Sequence, residues 1–488
     1  MPSKIYLTTT LPYVNADPHI GFALEIVTAD VLARYYRLLG WPVFFNTGTD
    51  EHGEKIYRRA LEEKLSPQDY VDIYAQKFVQ LKQGLNLSYD YFSRTTDSRH
   101  VAAAQEFWRR CAAAGDIYQK QYELKYCVGC ELEKTDSELE NGYCPTHPQQ
   151  ALEVIAEENY FFRFSKYQNQ LLKLYRKPGF QLEAGLPNFV VPPVRLNEVR
   201  KFVERGLQDF SISRLKSKMP WGIAVPNDET QVMYVWFDAL VNYISGIGWP
   251  DELEKFNKWW PVIQFAGKDN LRQQAAMWPA MLMSAGLPPA KQIIVHGFIT
   301  SNGQKMSKSL GNVINPVKLV EEYGTDAVRY FLTRHTNPFE DTDVTLEKFK
   351  EAYNANLANG LGNLVSRVMK LASDYLSMPI VVSRVTLDSK GNPSNFLVGE
   401  HIKNYELNQA MDEIWWHIGR HDAYIQETKP FTLIKTDPIA AREIIAKLVQ
   451  GLADLAVCLE PFMPATAVAI INLIRTNSAP TQPLFPRK

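Results

Sequence analysis

The chain opens with an alternating apolar stretch, Ile5 to Thr9, which predicts a strand. Apolar residues then recur at Ile20, Leu24, Val27, Val31, Tyr35 and Leu38, the three-to-four spacing of a helix over 19–39 that ends before Gly40. Pro42 to Asn46 predicts a second strand, and the polar run Gly48-Thr49-Asp50-Glu51-His52-Gly53 follows it. From about 116 to 225 the alternation weakens and cysteines cluster, although Asn159 to Phe164 still reads as an aromatic strand. Strand-like runs return at Val232–Phe237, at the stretch ending Phe265-Ala266-Gly267, and at Ile293–Ile299. Beyond about 345 the pattern turns helical over Glu347–Ala372, Asn408–Glu427, Ile439–Cys458 and Ala465–Leu473. A link rich in Ser, Gly and Asn, Ser383–Asn395, is expected to be mobile.

Strands alternating with helices predict an α/β fold, with a doubly wound, Rossmann-type parallel sheet. An insertion splits that sheet, and an α-helical bundle follows it. The expected boundaries are 1–115 for the first half of the sheet domain, 116–225 for the insertion and 226–290 for the second half. Residues 291–345 form a linking region and 346–488 the bundle.

Composition bounds the possibilities. The chain has 488 residues, 45% of them hydrophobic, enough for a large core. Lys plus Arg number 53 against 54 for Asp plus Glu, a net charge of −1, so any nucleic-acid contact must come from local patches. Five cysteines in this length argue against a secreted disulfide scaffold. Met1-Pro2-Ser3-Lys4 lacks an apolar leader core and no apolar run is long enough to span a bilayer, so the expectation is a cytoplasmic protein without membrane contact.

The chemistry centres on the loop Gln304-Lys305-Met306-Ser307-Lys308-Ser309-Leu310-Gly311-Asn312. Lys305 and Lys308 bring two charges onto a polyphosphate, with Ser307 adding a donor, which makes an anion clamp fitted to ATP. Upstream, Leu11-Pro12-Tyr13-Val14-Asn15-Ala16-Asp17-Pro18-His19-Ile20-Gly21-Phe22 joins the first strand to the first helix. His19 falls in the first turn, where helix N–H groups and the dipole favour phosphate, and Gly21 allows close approach. Asp50, at the carboxyl end of the second strand, is placed to meet a cationic group such as an α-amino group, with His52 in the same crevice. Trp236 and Tyr243 offer aromatic walls for an apolar side chain. Gly267 and Asp269 end another strand with a small residue and a carboxylate suited to a ribose hydroxyl. Cys127-x2-Cys130, thirteen residues, then Cys144-x2-His147 supplies four ligands in two knuckles, the pattern of one structural, tetrahedral Zn(II). Asn363 and Arg367, four apart, share one face of the first long bundle helix and are fitted to a base edge and a phosphate.

The two motifs, about 290 residues apart, resemble the HIGH and KMSKS signatures of class I aminoacyl-tRNA synthetases. With Leu11–Asn15, Thr49–Gly53, Tyr160–Arg163, Tyr234–Ala239, Gly267–Asp269, His296–Phe298 and the Cys-Pro-x-His half-knuckle, the chain is similar to the methionyl-tRNA synthetase family, single-zinc form, over nearly its whole length. The resemblance implies methionine–tRNA ligase activity: methionine is activated by ATP, with Mg(II), to methionyl-adenylate and passed to tRNA(Met). It implies that Leu11, Tyr13, Asp50, Trp236, Leu240, Tyr243 and His296 line the methionine site. His19, Gly21, Gly267, Asp269, Lys305, Ser307 and Lys308 would hold ATP, with His19, Lys305 and Lys308 catalytic. Asn363, Arg367 and Phe431 would read the anticodon, and 291–345 would carry the stem contact. Ending at Lys488, the chain has no room for an appended dimerisation domain, so a monomer is expected.

Some positions depart from that pattern. Phe22 stands in place of the second HIGH histidine, Gln273 and Gln274 in place of Phe-His, Leu240 in place of a proline and Phe431 in place of a tryptophan. Two alternatives stand beside the main reading: a class I synthetase for another apolar amino acid, and a catalytically weakened paralogue that binds tRNA or protein.

Overall fold

The computed structural model describes residues 4–130, 132–134, 138–176, 188–306, 312–377, 387–388 and 396–488. Six parallel strands form its central sheet, in the spatial order Tyr91–Arg94, Val43–Thr49, Ile5–Thr8, Ile263–Gly267, Gln292–His296 and Val190–Val191. Ile5–Thr8 and Ile263–Gly267 are buried along their whole length, as expected of parallel strands covered on both faces. From Ile5–Thr8 the first half of the chain steps outward one way, and from Ile263–Gly267 the second half steps the other way. The strand order therefore reverses between these two neighbours, and a crevice opens beyond their carboxyl ends.

The helix Ile20–Leu38 covers the sheet, and its buried residues, Ile20 through Tyr36, join one apolar cluster that continues into the bundle. The first long bundle helix runs from Leu346 to Tyr375, through a π-helical segment at Tyr353–Gly362. It is followed by Leu407–Thr428, Pro438–Leu459 and Pro464–Thr476. Arg329 ties the two regions together. It is fully buried, lies 2.8 Å from Asp30 of the helix Ile20–Leu38, and donates to the carbonyls of Pro461 and Phe462 at 2.8 and 2.7 Å. Among the described residues no helix is long and apolar enough to cross a membrane.

Several local expectations change. Ile293–Ile299 divides at Gly297 into Gln292–His296 of the central sheet and Ile299–Ser301 of a separate three-stranded sheet. The run Val232–Phe237 is not one strand: the strand is Asp228–Met233, in a small antiparallel sheet with Ser213–Leu215 and Ala224–Val225, and a helical turn, Val235–Ala239, follows. A run of six apolar residues satisfies either period; here backbone bonds from Phe237 and Asp238 N–H back to the Tyr234 carbonyl, at 2.9 and 3.2 Å, close the turn. The stretch 116–225 also returns to the parallel sheet through Val190–Val191, paired with Ile293 and Ile294. Two residues are too few to carry a period. Elsewhere this stretch is antiparallel, with Ile117–Cys127 paired to Glu153–Phe162. The expected link Ser383–Asn395 lies outside the described residues except for 387–388.

The crevice at the sheet switch point as candidate active site

Beyond the strand ends the backbone continues the sheet's pairing. Asp50 N–H donates to the Pro12 carbonyl at 3.0 Å and Val14 N–H to the Asp50 carbonyl at 3.3 Å, which sets Tyr13 beside Asp50. His19 caps the helix Ile20–Leu38, its Nδ1 accepting from Gly21 N–H at 3.1 Å. The ring proton of neutral His19 is therefore on Nε2, and the ring is exposed at the positive end of the helix. A Cβ at Gly21 would sit 3.0 Å from both Nδ1 and Cε1 of His19, so a larger residue would push the ring off the cap. Ile20 N–H donates to the Ile314 carbonyl at 3.0 Å and fastens the return of the lysine loop to this helix start. Lys305 lies in the strand Gln304–Lys305, paired antiparallel with Thr300 and Ser301. Ser307 and Lys308 lie outside the described residues.

Across the switch point, Gly267 and His296 are register partners. A Cβ at Gly267 would lie 2.8 Å from Asp269 Oδ1 and 3.7 Å from His296 Cε1, so the three residues share one corner, with Asp269 exposed. His296 Nδ1–H donates to the Gly297 carbonyl at 2.7 Å, and Nε2 lies 2.7 Å from Glu25 Oε2. Glu25 Oε1 accepts from both the N–H and the Oγ–H of Thr10 at 2.6 Å. Burial works against a charged imidazole, but the Glu25 carboxylate, with the Gly297 carbonyl and Asp269, holds the His296 pKa above its ordinary value.

The apolar wall is built from Tyr13 and Trp236, edge to face at 6.4 Å, with Leu240 and Tyr243 buried behind. Gln274 Nε2 donates to the Tyr243 hydroxyl at 2.7 Å, and the Tyr6 hydroxyl donates to the Tyr243 carbonyl at 2.7 Å. Burial raises the Tyr243 pKa far above its ordinary value, and the charges of Glu25 and Asp50 push the same way. Leu11 is half-buried at its edge. His52, two residues after Asp50, is 6% exposed and bonded to Asp238 at 2.6 Å.

Two further clusters lie outside the crevice. Ligand atoms of Cys127, Cys130, Cys144 and His147 all fall within 4.8 Å of one another, with Cys130 Sγ 3.5 Å from Cys144 Sγ and 3.2 Å from His147 Nδ1. These separations suit the edges of a tetrahedron with bonds of about 2.0–2.3 Å, so three thiols and one imidazole fit a single metal ion. Gly129 makes room for the imidazole, since a Cβ there would come within 2.6 Å of the His147 ring. On the bundle, Asn363 is exposed, Arg367 Nη1 meets Asp422 Oδ1 at 2.7 Å, and Phe431 is 46% exposed on the next turn of chain after Leu407–Thr428.

A family model described as tRNA synthetases class I (M) matches residues 5–154 and 138–369. The chain belongs to that family. Its relatives include a methionine–tRNA ligase of Thermosynechococcus vestitus, 43% identical and covering 96% of this chain and 90% of that one. Another, from Thermotoga maritima, is 39% identical over 98% of this chain and 76% of that protein. Among solved structures, Mycobacterium tuberculosis methionyl-tRNA synthetase in complex with methionyl-adenylate matches with a TM-score of 0.89 and 34% identity, covering 100% of both chains.

Within this class I synthetase, two of the departures, Phe22 and Gln274, have contacts that account for them. Phe22 turns away from the crevice and packs edge-on to Phe78 at 5.4 Å, so its position is part of the core and not a donor. Gln274 holds the Tyr243 hydroxyl. Sequence reasoning missed Glu25 altogether. Its one signal was a carboxylate on the apolar stripe of the first helix, beside Leu24, which requires a buried partner.

Proposed function

We propose that the chain is a methionine–tRNA ligase that forms methionyl-adenylate in the switch-point crevice and passes methionine to the terminal ribose of tRNA(Met). The reading rests on three features gathered at the carboxyl ends of the sheet: a helix N-terminus capped by His19, a carboxylate at Asp50 whose backbone is bridged to Tyr13, and an aromatic pair, Tyr13 and Trp236. That is what an ATP, an ammonium and a thioether side chain respectively require. The likeness to methionine–tRNA ligases over nearly the whole chain supports the choice of amino acid.

In this reading Leu11, Tyr13, Trp236, Leu240, Tyr243 and His296 enclose the methionine side chain while Asp50 takes its ammonium. Gly21 and Gly267 let the nucleotide approach, and Asp269 accepts from the ribose. The methionine carboxylate attacks the α-phosphorus of ATP and pyrophosphate leaves; a ribose hydroxyl of tRNA then attacks the adenylate carbonyl and AMP leaves. His19 Nε2–H, Lys305, Ser307 and Lys308 stabilise the charge that builds on the phosphates, and Mg(II) accompanies ATP. No covalent enzyme intermediate is needed, so positioning carries the catalysis.

Cys127, Cys130, Cys144 and His147 would hold one structural Zn(II), which keeps the knuckle folded. Asn363, Arg367 and Phe431 present an amide, a guanidinium and a ring to the anticodon. The domain boundaries follow this division of labour, with the crevice built mainly from 1–115 and 226–290, the knuckle in 116–225, the KMSKS loop that closes on the crevice and the stem contact in 291–345, and anticodon reading in 346–488.

The test is exchange of labelled pyrophosphate into ATP, run with each of the twenty amino acids on the chain and on Lys308→Ala. Exchange with methionine alone, lost in the variant, is the expected result. Exchange with a different amino acid overturns the substrate, and none with any overturns the activity.

A further inference from the structure

Behind the crevice lies a carboxylate with both oxygens engaged. Asp238 is 0% exposed; its Oδ2 lies 2.6 Å from His52 Nδ1 and its Oδ1 2.7 Å from His100 Nε2, and the two imidazoles are 6% and 4% exposed. A carboxylate only accepts, so each ring donates to it. His100 Nδ1, on the far side of its ring, is left to accept from Ser245 Oγ–H at 3.0 Å. Burial pushes the Asp238 pKa up, and the two imidazoles more than reverse the effect.

The three residues come from three separate stretches. His52 stands two residues after Asp50, and Asp238 two after Trp236 and two before Leu240. His100 is in the first turn of the helix Ser98–Ala113, whose Phe107 and Trp108 pack edge-on to Phe237 at 5.7 and 5.2 Å. Asp50 lies just past the strand Val43–Thr49, and Trp236 in the single turn Val235–Ala239 that follows the strand Asp228–Met233, so neither is held by a long regular element. An apolar side chain would fill the position of Asp238 without the desolvation cost of a buried ion, so what the carboxylate adds is direction. It pulls the backbone behind Asp50 and the backbone behind Trp236 onto the same helix.

We infer that Asp238 is a positioning residue of the amino-acid pocket: with His52 and His100 it fixes the Asp50 carboxylate relative to the Trp236 ring, and so sets affinity for the amino acid but not for ATP. The inference rests on reading Asp50 and Trp236 as walls of the methionine site. Asp238→Asn keeps the volume and turns an amide N–H toward one imidazole N–H. In methionine-dependent pyrophosphate exchange by the full chain, it should raise KM for methionine about tenfold or more, leave KM for ATP within about twofold, and lower kcat by less than KM rises. His52→Gln and His100→Gln each remove one tie and should give smaller rises of the same kind. They carry the test if Asp238→Asn does not fold.

An unchanged KM for methionine in folded variants overturns the inference, as do equal rises for methionine and ATP. Failure of all three variants to fold also overturns it, because the cluster is then core support alone. A wild-type chain with no methionine-dependent exchange would sink the reading of the site instead, so the two failures are told apart.

Discussion

In the crevice, Glu25 and His296 have side chains 5% and 13% exposed and meet at 2.7 Å; on the bundle, Asp422 and Arg367 are 35% and 30% exposed and meet at the same 2.7 Å. Equal distances hide unequal consequences. In the crevice each partner has a second tie, Glu25 to Thr10 and His296 to the Gly297 carbonyl, and neither can turn to water when a bond is lost. The bundle pair competes with solvent and salt, and a pair of that kind is worth about 0–1 kcal/mol. Arg367 can therefore exchange Asp422 for an incoming phosphate or base at little cost. In the proposed function, adenylate chemistry in the crevice would need groups fixed before the substrate arrives, whereas reading a flexible single strand on the bundle would need groups free to leave one partner for another.

The largest expected effect is at the buried strut joining the two regions. Arg329→Met removes one of the two arginines on the buried Asp30, leaving Arg34 at 2.8 Å, and strips the Leu85, Pro461 and Phe462 carbonyls of their donor; it should cost about 3–5 kcal/mol of stability, read from denaturant unfolding. A loss under about 1 kcal/mol would put this buried pair with the surface ones and break the contrast. Next, Glu25→Gln should lower kcat/KM for methionine-dependent exchange about ten- to hundredfold, because the amide oxygen can keep the Thr10 donors but the amide N–H meets His296 Nε2 only when that nitrogen carries no proton, which removes the charged imidazole from the crevice. Unchanged exchange would show that the crevice tolerates repacking.

Protonation sharpens the same contrast. The His296 pKa is raised in the folded chain, so the pair with Glu25 adds stability that is fully present below the ordinary histidine value of 6.5 and is lost as pH rises through the folded value. The melting temperature of the wild type should therefore exceed that of Glu25→Gln most near about pH 6, with the gap narrowing toward about pH 9. A gap that stays constant would remove the imidazolium from the account. The smallest effect belongs to the bundle: Asp422→Ala should change stability by about 1 kcal/mol or less. Arg367→Ala should leave pyrophosphate exchange intact while lowering tRNA charging about tenfold or more, as loss of a base contact does. Equal loss of both activities would mean that the two regions are not separable.

The long, strongly patterned features could be read in the sequence. Apolar spacing located the helix that became Ile20–Leu38 and the bundle helices, because burial of one face imposes a period on any sequence. The Cys-x2-Cys and Cys-x2-His spacing located the cluster, because four ligands on two tight turns can converge without help from the rest of the fold. The two loop motifs were likewise visible as strings.

Tertiary structure alone decided how these pieces face one another. It made Val232–Phe237 a strand that ends in a turn, took Phe22 into the core, and bonded His52 to Asp238. It also joined Glu25 to His296 across 271 positions and His100 to Asp238 across 138. Local sequence encodes which face of an element is apolar. It does not encode which buried donor will meet which buried acceptor, since that choice is made only when distant segments are packed together and each polar group must find a partner there.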